Sequence, residues 1–595
     1  MTRSPRFTPR ALVPIMETTR SGSALERVQV QLVRLGAFGL PLVILWSTND
    51  PVVLPKLLAA RALILLLSAF VLVRRLRGET KVRRTTLDLP ILAYVASAGL
   101  STLLAPNMNL AFFGEYGRLE GFMTIATYAA LFWLTIQSLP NSAAARSVLR
   151  ALLAGAFIVS VVAVLQAVAG ALVDGPSSNA AHAVGTFGNP NALAAYLAMA
   201  IPFGVGEFRH AISTTERLVA GNVVVIMAIA LLLTFGRGGW VGAAVGVAIV
   251  LAAARPSLRL VAKIGAASAG LVVAILVAAT LMSAGGPSIA HSTATRMVSM
   301  LDPVGGTGAI RLHIWKDTLG MIASRPLVGY GPDTFGMEFP KFQTGAWSRL
   351  SIIDESHSEL LQIAATQGIV GLAAFAWLCI AFTRLWWTGR QQALASGILG
   401  AGIGYLLTIL VNFSVVPAAL PFWIFLGAAT VILQGDPEPQ RAPATVPPDR
   451  RGRPVQLAAG LLVLALSALL AVVLPYAADS RFHDALKAFA AGQGALAADL
   501  VSDARSLQPQ QQVYAAAGGN VAMVGSDWTR AREAYLSAAD LGSFDPSVFR
   551  QLAVADEHLG LRAEAIAAAK RSVELNPFDP RNLAVLKTVT SAPPG

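Results

Sequence analysis

Apolar positions along this chain gather into long blocks, each near the ~20 residues that cross a bilayer as a helix, with short polar or basic stretches between them. The blocks fall near 29–47, 57–73, 87–105, 122–139, 148–173, 191–206, 218–235, 239–254, 260–282, 359–382, 393–413, 421–434 and 456–475. They predict an all-α fold, a polytopic bundle of about 13 transmembrane helices. Two stretches break the pattern: a long polar segment over 283–358, and a water-soluble tail over 476–595.

The short stretches carry the orientation. Lys and Arg are retained on the cytoplasmic side, and the run from Arg74 through Arg77, Lys81 and Arg83 to Arg84 places the N-terminus in the cytoplasm if two helices precede it. The later basic stretches, Glu207 to Arg217, Arg255 to Lys263, Arg384 to Arg390 and the Pro-rich Gly435 to Arg453, agree in parity. The expected division is a cytoplasmic tail over 1–28, a membrane core over 29–434 with an outer loop at 283–358, a cytoplasmic linker over 435–455, a last span at 456–475 and an extracytoplasmic domain over 476–595.

That tail has a period. The turns Leu507-Gln508-Pro509, Phe544-Asp545-Pro546 and Phe578-Asp579-Pro580 recur every 34 to 37 residues, and Ala531-Arg532-Glu533-Ala534-Tyr535 echoes Arg562-Ala563-Glu564-Ala565-Ile566. The spacing resembles tetratricopeptide repeats, helix pairs stacked into a peptide-binding surface, with a degenerate first unit. An Ala-rich helical bundle without a binding role is the plainer account.

Composition agrees with the blocks: 55% hydrophobic residues, 13% charged and a mean hydropathy of +0.60 belong in a bilayer. The net charge of +13 is read as topology, because the basic residues lie between apolar blocks, and no nucleic-acid partner is expected. The single cysteine, Cys379, excludes an intrachain disulfide. Residues 1–28 lack the apolar core and small-residue cleavage site of a signal peptide, so the first helix is expected to act as an uncleaved anchor.

Three residues invite chemistry. Arg237 lies in the short hairpin Gly236-Arg237-Gly238 on the outer side, where a basic residue needs a reason; the glycines leave room for a ligand, and an interfacial anchor is the alternative. Arg311, Trp315 and Thr318 share a helical face, suited to a diphosphate and a sugar ring or to an amphipathic helix lying on the membrane. His357 sits in Ser356-His357-Ser358-Glu359, read as a capping box that puts the imidazole in a first helical turn, neutral and basic. A plain capping histidine is the alternative. Asp354, Glu355, His357 and Glu359 match no usual zinc spacing, so no metal and no cofactor are expected, and Glu355 is assigned no role beyond tuning.

Five segments in order, Gly185-Thr186-Phe187-Gly188-Asn189-Pro190-Asn191, Phe235-Gly236-Arg237-Gly238-Gly239-Trp240, Arg311 with Trp315, Pro326-Leu327-Val328-Gly329-Tyr330-Gly331-Pro332, and His357 ahead of Gly368-Ile369-Val370-Gly371-Leu372, resemble the O-antigen ligase and polymerase family over roughly residues 30–435. The resemblance implies a metal-independent glycosyltransferase of the GT-C type in the bacterial inner membrane. It would move a glycan from undecaprenyl diphosphate to a hydroxyl of a lipid, glycan or protein acceptor in cell-envelope polysaccharide biosynthesis. By position, Arg237 and Arg311 would bind the donor diphosphate and His357 would deprotonate the acceptor; Arg118, in Gly114-Glu115-Tyr116-Gly117-Arg118-Leu119-Glu120-Gly121, and Trp315 would be further substrate contacts. The tail would recruit an acceptor or an assembly partner. Two competing readings are a transporter of the inorganic-carbon kind, which should show broken helices in matching halves, and a non-catalytic scaffold presenting the repeats.

Overall fold

The computed structural model describes residues 24–79, 82–173, 182–254, 307–344, 353–436 and 453–591. The described residues form helices and loops with no strand among them. The core begins with α1 (Ala24–Gly39), α2 (Val53–Leu76), α3 (Asp88–Leu103), the short α4 (Met108–Phe113) and α5 (Phe122–Ser138), followed by α6 (Ser142–Val173), α7 (Pro190–Arg209), α8 (Thr214–Leu233) and α9 (Arg237–Ala254). It continues with α10 (Thr307–Ser324), α11 (Phe335–Glu338), α12 (Glu359–Thr388), α13 (Ala395–Leu410) and α14 (Val416–Gln434).

Seven helices among the described residues are long and apolar enough to cross a membrane, and Asp88–Leu103, Phe122–Ser138, Arg237–Ala253 and Ala395–Leu410 are shorter apolar helices packed with them. Twelve of the expected blocks fall on helices; the block at 260–282, most of the 435–455 linker and part of the 283–358 loop lie outside the described residues. The first block is shorter than expected, since α1 ends at Gly39 and a 3-10 turn, Leu40–Leu42, follows it. At the centre lies α14, buried nearly all round, as befits a helix apolar on every face. Small residues bring α7, α9 and α13 into backbone contact: a Cβ on Gly246 would stand 2.5 Å from the Gly400 carbonyl and one on Gly239 2.6 Å from Ala194. Without a hydrophobic driving force between helices in lipid, such close approach supplies the attraction.

α12 is broken at Gly368, whose φ of 66° is left-handed. The Pro326–Gly331 backbone fills the break. Tyr330 and Gly331 donate to the carbonyls of Ala365 and Thr366 at 3.1 and 2.7 Å, and Ile369 donates to the Pro326 carbonyl at 2.8 Å. Every backbone group at membrane depth needs such a partner, and a side chain at Gly368 would collide with Leu327.

The helix of the last span runs on past residue 475. α15 (Arg453–Ala468) passes through a π turn, Leu469–Val473, into α16 (Leu474–Ala490), so one continuous helix leads out of the core into the tail. There α17 (Gly494–Leu507), α18 (Gln512–Val524), α19 (Trp528–Asp540), α20 (Pro546–His558), α21 (Arg562–Leu575) and α22 (Pro580–Ser591) alternate so that every second helix starts 34 residues after its counterpart. The slip to 37 in the turn motif has a local cause. Asp545 caps α20, its carboxylate accepting from Ser547 N at 2.8 Å, and Pro546 follows; in the first unit Gln511 takes that place and no side chain caps the helix.

Candidate functional site

Five connections converge at one end of the core: the α4–α5 loop, the α8–α9 hairpin, the segment after α10, the residues before α12, and the α13–α14 loop. Six non-glycine residues among those described have left-handed backbone, and four of them, Leu119, Phe235, Asp333 and His357, lie in these connections. Such conformations cost roughly 1–3 kcal/mol each and gather where the surroundings over-determine them, functional sites above all.

Arg118 is the hub of one half. Its guanidinium lies 3.0 Å from Asp333, 2.6 Å from Glu355 and 3.3 Å from Asp354, and it donates to the Asp354 carbonyl at 2.6 Å. Burial works against its charge, but Glu355, Asp333, Asp354 and Glu115 outweigh it and hold the proton affinity above the ordinary arginine range. Asp333 also accepts from the backbone of Glu115 at 2.7 Å and Glu120 at 3.0 Å, which pins the α4–α5 loop. Burial pushes the nearby Glu115 carboxyl up to about 8.

The other half holds Arg311 and Arg237. Arg311, on α10, donates to the Val411 carbonyl at 2.9 Å and toward Asn412 Oδ1 at 3.4 Å. Burial, and after it the charge of Arg237 at the start of α9, lowers the proton affinity of Arg311, so the two cations lie near enough to repel. One turn along α10, Trp315 donates to the Ser356 carbonyl at 3.0 Å, while Thr318 is buried and bonds its own helix. His357 lies 5.4 Å from the Phe413 ring, centroid to centroid. Burial first, and then Arg311, depresses its imidazole to about 4, against the pull of Asp354. Its Nδ1 is buried without a hydrogen-bond partner among the described residues.

Near these residues a cavity opens between α3, α5, α12, α13 and α14. Arg118, Glu120, Asp333, Glu355 and Glu359 bring charge to its lining, and Phe375, Leu378, Phe382, Leu406, Phe422 and Leu426 are among the more numerous apolar residues.

Two expectations need correction. Ser356 and Glu359 form no capping box: α12 starts at Glu359 after Ser358, with no side-chain cap. The Ser356 hydroxyl is engaged with the Ser358 carbonyl at 2.8 Å, and the Glu359 carboxylate accepts from Ser414 N at 2.8 Å. His357 therefore precedes the helix, with φ of 53°, and its neutrality comes from burial and Arg311 rather than from a helix end. The glycines around Arg237 do not open space for a ligand either. A Cβ on Gly236 would stand 2.9 Å from Ala194, and one on Gly238 2.7 Å from Val411, so both serve helix packing.

Sequence reasoning passed over Asp333, Asn412 and Phe413. Asp333 directly follows the conspicuous Gly329-Tyr330-Gly331-Pro332 stretch, and Asn412 interrupts an apolar block; either polar residue at the edge of an apolar run was a usable signal.

Fold and site together define a multi-helix membrane protein with a polar site at one end of its bundle and an apolar cavity beneath it. Residues 223–376 match the model of the O-antigen ligase family. That stretch holds Arg237, Arg311, Trp315 and His357, and the chain is a helical membrane protein with an O-antigen ligase domain. No curated protein matches the chain.

Proposed function

We propose that this protein is a GT-C-type glycosyltransferase of the bacterial inner membrane. It takes a glycan from undecaprenyl diphosphate and transfers it, on the outer face, to an acceptor hydroxyl, as an O-antigen ligase or a polysaccharide polymerase. The observation that carries this reading is the nearness of Arg237 to Arg311 beside the buried His357 imidazole, whose Nδ1 has no hydrogen-bond partner among the described residues; its ring packs on Phe413, which also lines a largely apolar cavity.

Each part has a chemical task. The acceptor oxygen attacks the anomeric carbon; the bond from that carbon to the diphosphate oxygen breaks, and the acceptor proton passes to His357. Negative charge grows on the departing diphosphate, where two neighbouring arginines stabilise it electrostatically. Their planar forks suit phosphate oxygens, and they supply the charge neutralisation that a divalent ion would otherwise provide. The apolar length of the cavity accepts polyprenyl units. Trp315, held on Ser356, keeps the His357 segment in place and offers an edge to a sugar. Arg118, saturated by carboxylates, serves this reading as the support of that segment rather than as a phosphate ligand.

The break in α12 is the one observation that favours a transporter. Its backbone groups are taken up by the 326–331 segment, which suits a wall better than an ion cage. Transfer from a purified lipid-linked oligosaccharide by reconstituted protein in chelator tests the proposal. Chelator-resistant transfer, lost in His357→Ala and in Arg311→Ala while both variants keep their fold, is expected; variants as active as the parent protein would overturn the assignment.

A further inference from the structure

The tail is not a free arm. Asp479, on α16 and fully buried, accepts from the Tyr116 hydroxyl at 2.5 Å and the Tyr514 hydroxyl at 3.2 Å with one oxygen. Its other oxygen accepts from the backbone of Asn49 at 2.8 Å and Asp50 at 3.3 Å. Tyr116, from the α4–α5 loop, packs edge-on against Phe482 and Tyr514 of the tail. At the far end of α4, Asn107 and Asn109 donate to the carbonyls of Asp540 and Leu541 at 3.1 and 2.9 Å. Phe544 joins Leu110 and Leu575 in an apolar cluster, with its ring against Gly336, which in turn abuts Asp354. Tyr116 is two residues from Arg118, and Asp354 is three from His357.

We infer that the repeat domain is a positioning part of the transfer site: Asp479 and Phe544 hold the 107–121 segment where Arg118 reaches Asp354 and Glu355, and through them set His357. This rests on the transfer reading proposed above and goes beyond recruitment, because a recruiting arm has no need to grip the loop that carries Arg118. A buried carboxylate with four donors from three separate segments has two geometries to lose at once.

The test uses the full chain with Asp479→Ala, Asp479→Asn and the milder Tyr116→Phe, assayed with two chemically unrelated acceptors. Asp479→Ala should lower kcat about ten- to a hundredfold, the scale of a small misplacement of catalytic groups, by the same factor for both acceptors and with little change in acceptor KM. The acid limb of its kcat/KM profile should move up from about 4, as His357 loses burial and the nearby Arg118 charge. Asp479→Asn, able to keep one oxygen on the backbone amides and its amide on the phenols, should recover most of the rate. Loss confined to acceptor KM, or loss of rate with the pH profile unmoved, would overturn the inference. Diethylpyrocarbonate modification of His357, followed by mass spectrometry, needs no turnover and so separates this inference from the transfer reading. Asp479→Ala and Tyr116→Phe should each raise its rate, Asp479→Ala by about fivefold or more as the segment opens locally; an unchanged rate would contradict the clamp even in a protein that transferred nothing.

Discussion

Arg118 and Arg311 are the same residue type in the same site, and their surroundings are opposite. Arg118 has three carboxylates within 3.3 Å, so its charge is answered from inside the protein. Among the described residues Arg311 meets a carbonyl, an amide and the charge of another guanidinium. A buried cation with matched anions is a structural joint, whereas a half-buried cation that meets a carbonyl, an amide and a second cation is suited to take an anion from outside. Residue type alone does not separate a clamp from a binding site; the sign of the neighbours does.

The largest expected effect falls on the Arg311 side. Arg311→Ala should lower kcat by about 10²–10³, the usual cost of removing a donor to developing charge, and leave the thermal melting temperature in detergent unchanged or slightly raised, since Arg237 then lies without a like-charged neighbour. A melting temperature that fell as far as the activity would erase the contrast. On the answered side, Arg118→Ala should cost about 3–5 kcal/mol of stability, the scale for leaving buried carboxylates unpaired, read as the melting temperature or as the denaturant midpoint. If Arg118→Ala melted with the parent protein and only donor affinity fell, Arg118 would belong with Arg311.

A smaller effect follows from His357. Its folded value near 4 lies below the ordinary 6.5, so the unfolded chain binds the proton more readily. The stability this contributes is complete above pH 6.5 and is lost as pH falls toward 4. His357→Gln should flatten part of the melting curve's decline over that window, and a parallel decline in the variant would show that the imidazole does not titrate as described. The smallest effect is steric. Gly238→Ala puts a methyl 2.7 Å from Val411, whose carbonyl holds Arg311, and should destabilise by about 1–3 kcal/mol with a modest rise in donor KM; a silent substitution would restore the idea that this glycine leaves room for a ligand.

How much was legible beforehand follows the range of the forces involved. Helices such as α2, α6 and α14 stand out because a bilayer demands apolar length, a property of contiguous residues. The 34-residue spacing of the tail shows for the same reason, being carried by Asp-Pro caps such as Asp545-Pro546. Arg237 and His357 stood out as polar residues flanking apolar blocks and Arg311 by the helical face it shares with Trp315 and Thr318, and the structure brings them to one end of the core. The hub at Asp333 was hidden because its partners, the amides of Glu115 and Glu120, lie more than 200 positions away. The spacing of Ser356 and Glu359 promised a cap, but capping is a competition, and Ser414 N won the carboxylate. Gly368 lies inside the block expected at 359–382, and its break depends on the 326–331 backbone that fills it.

The central claim is that the Arg237 and Arg311 side holds a diphosphate, and equilibrium binding of undecaprenyl diphosphate to the protein in lipid nanodiscs tests it most directly. Weakening by about tenfold or more in Arg237→Ala and in Arg311→Ala, the scale of a lost charge-assisted hydrogen bond, with His357→Ala binding as the parent protein does, is the predicted result. Unchanged affinity in both arginine variants would contradict the account.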